Sequence, residues 1–351
     1  MKKIFSIAAL LFLNTSLFAQ LDSLWTSDED TSYCSHSSLN LGANNSGICF
    51  GNSQKWNGIR FNFSDCGISK INGINITLWK PENCSGSEIN GIALGLAPSG
   101  GKITGLSFGL GAVVAEDQLQ GITLGGLAVV ADGDVQGISA GGLAIVASGE
   151  LTGINLGGLA VVSKNNMVGI NSGGLAIVSE GELTGINFGG LACVAKGGMM
   201  GINFGGLALV AEESMQGINL GGLALVGKEG IQGINIGGLA VVSEEEIAGL
   251  NYSLLALVSK SGLTGFNLTG YKVEAPAVTG LNISALWTDI DDLTGMSVSC
   301  YNKIGGTQTG LTIGLFNSAE TLNGLQIGLI NIAKNNKGIA KVLPIINAHF
   351  D

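Results

Sequence analysis

From Gly121 to Gly265 a glycine followed by an apolar residue returns every 16 residues, at Gly121, Gly137, Gly153, Gly169, Gly185, Gly201, Gly217, Gly233, Gly249 and Gly265. The unit reads G-I-N-x-G-G-L-A-V-V-A plus five variable residues. The same mark recurs before the block at Gly58, Gly73, Gly91 and Gly105 and after it at Gly280, Gly295, Gly310 and Gly324, at spacings of 14 to 18. A period of this length marks an array in which each unit buries its apolar surface against its neighbours. The expected organisation is a signal peptide over 1–19, a Cys-containing segment over 20–57, an array of 14–18-residue β repeats over 58–342, and a C-terminal strand over 343–351.

Each unit has an uncharged run, as in Ile202–Ala211, followed by a short charged stretch such as Glu212-Glu213 or Glu244-Glu245-Glu246. A helix would lose roughly 1 kcal/mol at each interior Gly relative to Ala, and the run has no polar face of period 3.6. Strand is the better assignment. In Gly324–Leu329 the alternation is clean, with Leu325, Ile327 and Leu329 on one side and Gln326 and Gly328 on the other. A bulge at the Gly-Gly pair would put Ile202, Phe204, Leu207 and Leu209 on one face, opposite Asn203, Ala208 and Val210. On that assignment, Asp at Ile202 or Leu207 should prevent assembly, while Glu245→Lys should be nearly silent.

Two all-β architectures accommodate the repeat. In the first, favoured one, each unit is a membrane-crossing strand and the chain closes as an antiparallel outer-membrane-type barrel of about 18–20 strands. Confinement of charge to turns suits lipid, and Phe350 supplies an aromatic at the end of the last strand. The second is a parallel β-solenoid of 14–16-residue coils with the Gly-Gly pair at a corner, in which Asn155, Asn171, Asn187, Asn203, Asn219 and Asn235 would stack as a ladder of amides. Deleting Gly201–Gln216 should wreck the barrel, by reversing every later strand, but only shorten the solenoid.

The N-terminus pairs Lys2-Lys3 with an apolar stretch from Ile4 to Leu13 and a small residue at Ala19, the parts of a secretory signal peptide cleaved after Ala19. Export implies an oxidising compartment, so two disulfides among Cys34, Cys49, Cys66 and Cys84 are expected, while Cys193 and Cys300 stand in apolar positions of later repeats. Elsewhere no run reaches the 18 apolar residues of a spanning helix. With 16 Lys+Arg against 26 Asp+Glu and a net charge of −10, nucleic-acid binding is not expected.

Chemistry is sparse. His36 and His349 lie near opposite ends of the chain, and neither has a partner at a catalytic or metal-binding spacing. No G-x-G-x-x-G opens a helix in a βαβ unit. Asp289, Asp291 and Asp292 could offer oxygens to Ca²⁺, yet a solvated acidic turn is the better reading, since the nonapeptide pattern of calcium-binding rolls is missing. No enzyme activity, cofactor or metal is expected.

The segments Gly310–Asn317 and Gly324–Asn331, with the ending Leu-Pro-Ile-Ile-Asn, resemble the bacterial surface-repeat family named for its Leptospira members, most clearly from Gly295 to Phe350. The resemblance implies a secreted or outer-membrane surface protein and carries no chemistry to any residue. The functional expectation is therefore a non-enzymatic exported structural protein touching outer-membrane lipid, as a passive pore in the barrel reading. In the solenoid reading it is a secreted protein that binds a partner along an extended face.

Overall fold

A computed structural model describes residues 34–79, 81 and 85–350. The signal-peptide segment and Cys84 lie outside the described residues. The segment up to Ser35 is a unit by itself, and the body begins at His36.

The body is a parallel β-solenoid, which corrects the expected barrel and bears out its alternative. Strands pair with their counterparts one repeat away, and in register: Met199–Gly205 lies parallel to Leu183–Gly189 on one side and to Met215–Gly221 on the other. The shorter strand Ala208–Ala211 pairs in the same way with Ala192–Ala195 and Ala224–Gly227. One coil thus has a long strand, a corner at Gly205-Gly206-Leu207, a short strand, and a second corner at Glu212–Ser214. A meander would have paired neighbouring strands antiparallel. Near-identical units favour stacking instead, because every side chain then meets its own kind one coil away.

Antiparallel strands occur at the two ends. Ser38–Ala43 pairs antiparallel with Ser46–Gly51, which leads into the parallel array. Val342–His349 closes the other end against Phe316–Ala333. This last strand carries Pro344, which has no N–H to offer, and Ile345 at φ +66°, so the free edge is a poor template for further pairing.

The glycines of the period are required by the close approach of coils. Gly201 adopts φ +112°, and a Cβ there would sit 2.2 Å from the carbonyl oxygen of Gly185, its partner one coil away. At the corner, a Cβ on Gly206 would lie 2.0 Å from the oxygen of Gly190. Any side chain at either position would push neighbouring coils apart.

The face assignment from the sequence is inverted for Ile202, Asn203, Phe204 and Leu207, while Leu209 lies inside, opposite Ala208 and Val210, as expected. Met199, Asn203, Gly205, Leu209 and Ala211 are buried, while Ile202 and Leu207 are exposed and Phe204 is half-buried. No bulge intervenes, since odd-numbered positions point inward on both sides of the Gly-Gly corner. The interior of the block is a stack of apolar Leu, Val, Ile, Met and Ala files joined by the Asn file, with Ser163, Ser179, Ser243 and Ser259 interrupting the Ala file. Among the described residues the inward side chains are buried against one another, which gives the expected passive pore no support.

The polar file is the expected amide ladder. Asn155 Nδ2 donates to Asn171 Oδ1 at 2.9 Å, and the relay continues through Asn187, Asn203, Asn219, Asn235 and Asn251 to Asn267 at 2.8–3.0 Å. From Asn171 to Asn251 each buried amide is donor to one neighbour and acceptor from the other, which is what makes Asn tolerable in an apolar interior.

Candidate interaction surface

With the large residues turned outward, the chain displays apolar files that run from coil to coil. Ile122, Ile138, Ile154, Ile170, Ile186, Ile202, Ile218, Ile234 and Leu250 form one file, each 36–53% exposed. Beside it, two residues further along the same strands, run Leu124, Leu156, Phe188, Ile236 and Tyr252. Phe188 and Phe204 stack in this second file, with ring centroids 4.8 Å apart and planes within 2°. The Gly-Gly corner adds a third file, Leu127 through Leu255 at every sixteenth residue, each 43–55% exposed.

Backbone pairing explains how such a surface persists. Corner residues keep their hydrogen bonds coil to coil, as in Leu207 N–H to the oxygen of Leu191 at 2.7 Å. The face therefore offers side chains rather than open backbone groups. Scattered surface leucines are ordinary, but contiguous apolar patches beyond a few hundred Å² mark interaction sites. Parallel sheets, moreover, occur mostly with both faces covered.

Charge is kept at the other corner. Lys196 pairs with Glu180, Lys228 with Glu212 and Lys260 with Glu244, each across adjacent coils and each half-exposed. Such pairs contribute little stability, yet they place a hydrated, net acidic ridge along one edge. Between ridge and apolar face runs a mixed file in which Gln and Thr, as at Gln120, Thr152 and Gln216, alternate with exposed Val168 and Met200.

The residues considered for chemistry sit apart. His36 Nε2 is 2.8 Å from Gln54 Nε2 on an exposed surface near the first strand, and His349 Nδ1 is 2.6 Å from Asn336 Oδ1 at the closing strand. Asp289 is paired with Lys303 at 3.0 Å, and Asp292 accepts from the Thr307 N–H at 2.8 Å. All three aspartates lie within the strand Trp287–Val298, so the expected acidic turn is corrected to an outward-facing, ion-paired stretch of strand. Among the described residues no group of His, Cys, Asp and Glu could hold a metal ion. Cys34 and Cys66 are disulfide-bonded, but Cys49 is a free buried thiol, which overturns the expected second disulfide among the first four cysteines. Its position is inward, in register with Arg60, where packing leaves no second sulfur to meet. Cys193 is also buried and free, and burial pushes its thiol up to about 12, so it is inert at neutral pH.

One polar cluster was not legible in the sequence. Arg60 and Asp65 are fully buried and paired at 2.6 Å. Arg60 also donates to Asn75 Oδ1 at 2.8 Å and to Asn52 Oδ1 at 2.9 Å, while the second Asp65 oxygen accepts from Asn75 and Thr77. Arg60 occupies the inward position that Asn155 and its equivalents hold later, flanked in register by Cys49 and Asn75. The recurring Gly58-Ile59-Arg60 could have signalled it, because Arg there replaces the Asn of the repeat. With every oxygen of Asp65 engaged, the cluster is a structural plug. Compared with models of protein families, with curated proteins and with solved structures, the chain finds no match.

Proposed function

We propose that the chain is an exported, non-enzymatic surface protein whose β-solenoid binds a partner along its extended apolar face. The observation that carries this reading is the set of apolar files, of which the Ile file and the Leu corner file run unbroken through the 16-residue block, while Ala140 and Ser172 interrupt the file beside them. The basic, apolar and small-residue parts of the N-terminus support export, and the resemblance of the C-terminal repeats supports a cell-surface location. Among the described residues the interior is packed and the corners of the block are short, which supports a non-enzymatic reading.

A variant with Ile154, Ile170, Ile186, Ile202 and Ile218 all changed to Thr keeps β-branched residues in the strands while making the face polar. It should retain the far-ultraviolet circular dichroism of the parent and lose retention on a phenyl matrix. A parent chain that does not bind the matrix would remove the reading. A second reading, contact with outer-membrane lipid, draws on the same face and on the lack of charge within it. Fractionation with and without detergent tests it.

A further inference from the structure

The partner can be narrowed by asking what fits a surface this regular. We propose that the apolar face of the long-strand sheet is covered by a second copy of this chain, in a two-fold symmetric pair; the inference rests on the extended-face reading above.

Periodicity is the first argument. Parallel strands repeat every 4.8 Å or so, and here the outward side chains repeat with them as ridges across the face. A second copy carries ridges of the same pitch, so its ridges can enter the grooves of the first over many coils. A symmetric contact uses the same patch on both partners, and each apolar file then meets an apolar file. An unrelated globular protein would have to match that pitch by coincidence.

Area is the second. Each half-exposed large apolar side chain leaves on the order of 75 Å² open, taking roughly 150 Å², the low end of the aromatic range, for the whole side chain. Three files therefore expose about 200 Å² per coil, and about four coils reach the 800 Å² per partner of a standard interface. The block from Gly121 to Gly265 is longer than that. Its middle carries the stacked Phe188 and Phe204, the kind of aromatic pair that anchors the centre of an interface. The Gln and Thr of the mixed file along the side supply polar rim groups.

Charge decides against lipid. Elements that lie on membranes carry Lys and Arg on their polar side, whereas this ridge bears Glu212, Glu213, Glu229, Glu244, Glu245 and Glu246, and the chain has a net charge of −10. A self-pair keeps those carboxylates in water at the far corner. Long-range repulsion between the two copies is screened beyond about 8 Å at physiological ionic strength, so added salt should tighten association.

Light scattering on the purified exported chain at micromolar concentration, with and without 0.5 M NaCl as an about threefold rise over physiological salt, tests the proposal. The expected result is twice the chain mass, with a dissociation constant that falls as salt rises. The double variant I170K/I202K should weaken association at least tenfold while keeping the parent's circular dichroism. If it does not fold, I202T serves as the milder change with the same expected direction. E213K, on the ridge, should pair as the parent does. A double variant that still pairs, or a parent that stays monomeric, overturns the proposal. Flotation with phosphatidylcholine–phosphatidylglycerol vesicles separates the causes. A monomer that floats replaces the self-pair with lipid and leaves the extended-face reading standing, whereas a monomer that neither floats nor binds a phenyl matrix removes both.

Discussion

The same inward position is filled differently at the first coils and in the middle of the array. From Asn155 to Asn267 it holds a file of identical amides that satisfy one another. At Arg60 it holds a charge that needs five-residue-distant Asp65 and amides from Asn52 and Asn75 around it. The comparison shows what repetition provides. A coil with identical neighbours on both sides inherits hydrogen-bond partners, whereas a coil near an end must build its own. The cost of ending is visible within the ladder as well. Asn155 Oδ1 has no partner and Ser139, its register partner, has an unpaired hydroxyl; at the other limit Asn267 Nδ2 is unpaired opposite Asn282 Oδ1.

The largest effect should come from breaking the plug. Asp65→Ala leaves the Arg60 guanidinium buried without its carboxylate, which typically costs about 3–5 kcal/mol. Because each coil contacts only its neighbours, the loss should be local. Hydrogen exchange is expected to show amides of Lys55–Asn62 and Lys70–Thr77 losing protection while Met199–Gly205 is unchanged. Uniform loss along the chain would mean that the array unfolds as one unit and that the two regions do not differ in this way.

Within the ladder the comparison can be sharpened. Asn203→Ala removes an acceptor from Asn187 and a donor from Asn219. At about 1–3 kcal/mol for each stranded buried group, a loss of about 2–6 kcal/mol is expected. Asn155→Ala strands only the acceptor of Asn171, because the Asn155 oxygen is already without a partner, so about half that loss is expected. Denaturant unfolding of both variants measures the ratio. Equal losses would show that the relay has no special end.

The period, the strand assignment and the amide ladder were legible in the sequence because each follows from spacing alone. The path of the chain was not. Charge confined to turns is demanded by lipid in a barrel, and a solenoid whose polar residues lie at one corner produces the same pattern. Direction within the repeat was misread for a related reason. Asn is normally an outward residue, and only a parallel, in-register stack lets Asn203 be buried at no net loss of hydrogen bonds. Once Asn203 points in, parity sends Ile202 and Phe204 out. Asp at Ile202 should therefore be tolerated by the fold, contrary to the expectation from the sequence, while Asp at buried Leu209 should not. Nothing in the spacing of Arg60 and Asp65 announced a buried pair, since the loop that returns Asp65 to the interior is outside the regular repeat.

Deleting one coil tests how far identical neighbours are interchangeable. Removing Gly201–Gln216 joins Met200 to Gly217, and Asn187 would then meet Asn219 in the register that Asn203 left. The cost should be about one coil-to-coil interface, with protease resistance close to that of the parent. Deleting the coil that contains Arg60 should instead be disruptive, because Cys49 and Asn75 cannot satisfy each other. Similar resistance of the two deletions would remove the distinction between middle and end.

The smallest effects belong to exposed ion pairs between adjacent coils, where the two ends of the array should behave alike. Near the start, the Glu88 carboxyl is held below its ordinary value of 4.5, chiefly by the hydrogen bond from Lys70 and then by its charge. Near the finish, the Lys303 ammonium is raised above its ordinary 10.5, chiefly by its hydrogen bond to Asp289 and then by that residue's charge. A lowered carboxyl contributes stability that is present above the ordinary value and is lost as pH falls through the lowered one. A raised ammonium contributes stability that is present below 10.5 and is lost as pH rises through the raised one. Both pairs are half-exposed, so water and salt screen them and both limbs should be shallow. Melting temperature followed against pH should thus be flat across neutrality as far as these pairs are concerned, with Lys70→Met flattening the acid limb and Asp289→Asn the alkaline one. If either substitution shifted the midpoint by several degrees at pH 7, these surface pairs would be holding the coils together, and the division between a structural interior and a merely hydrated surface would fail.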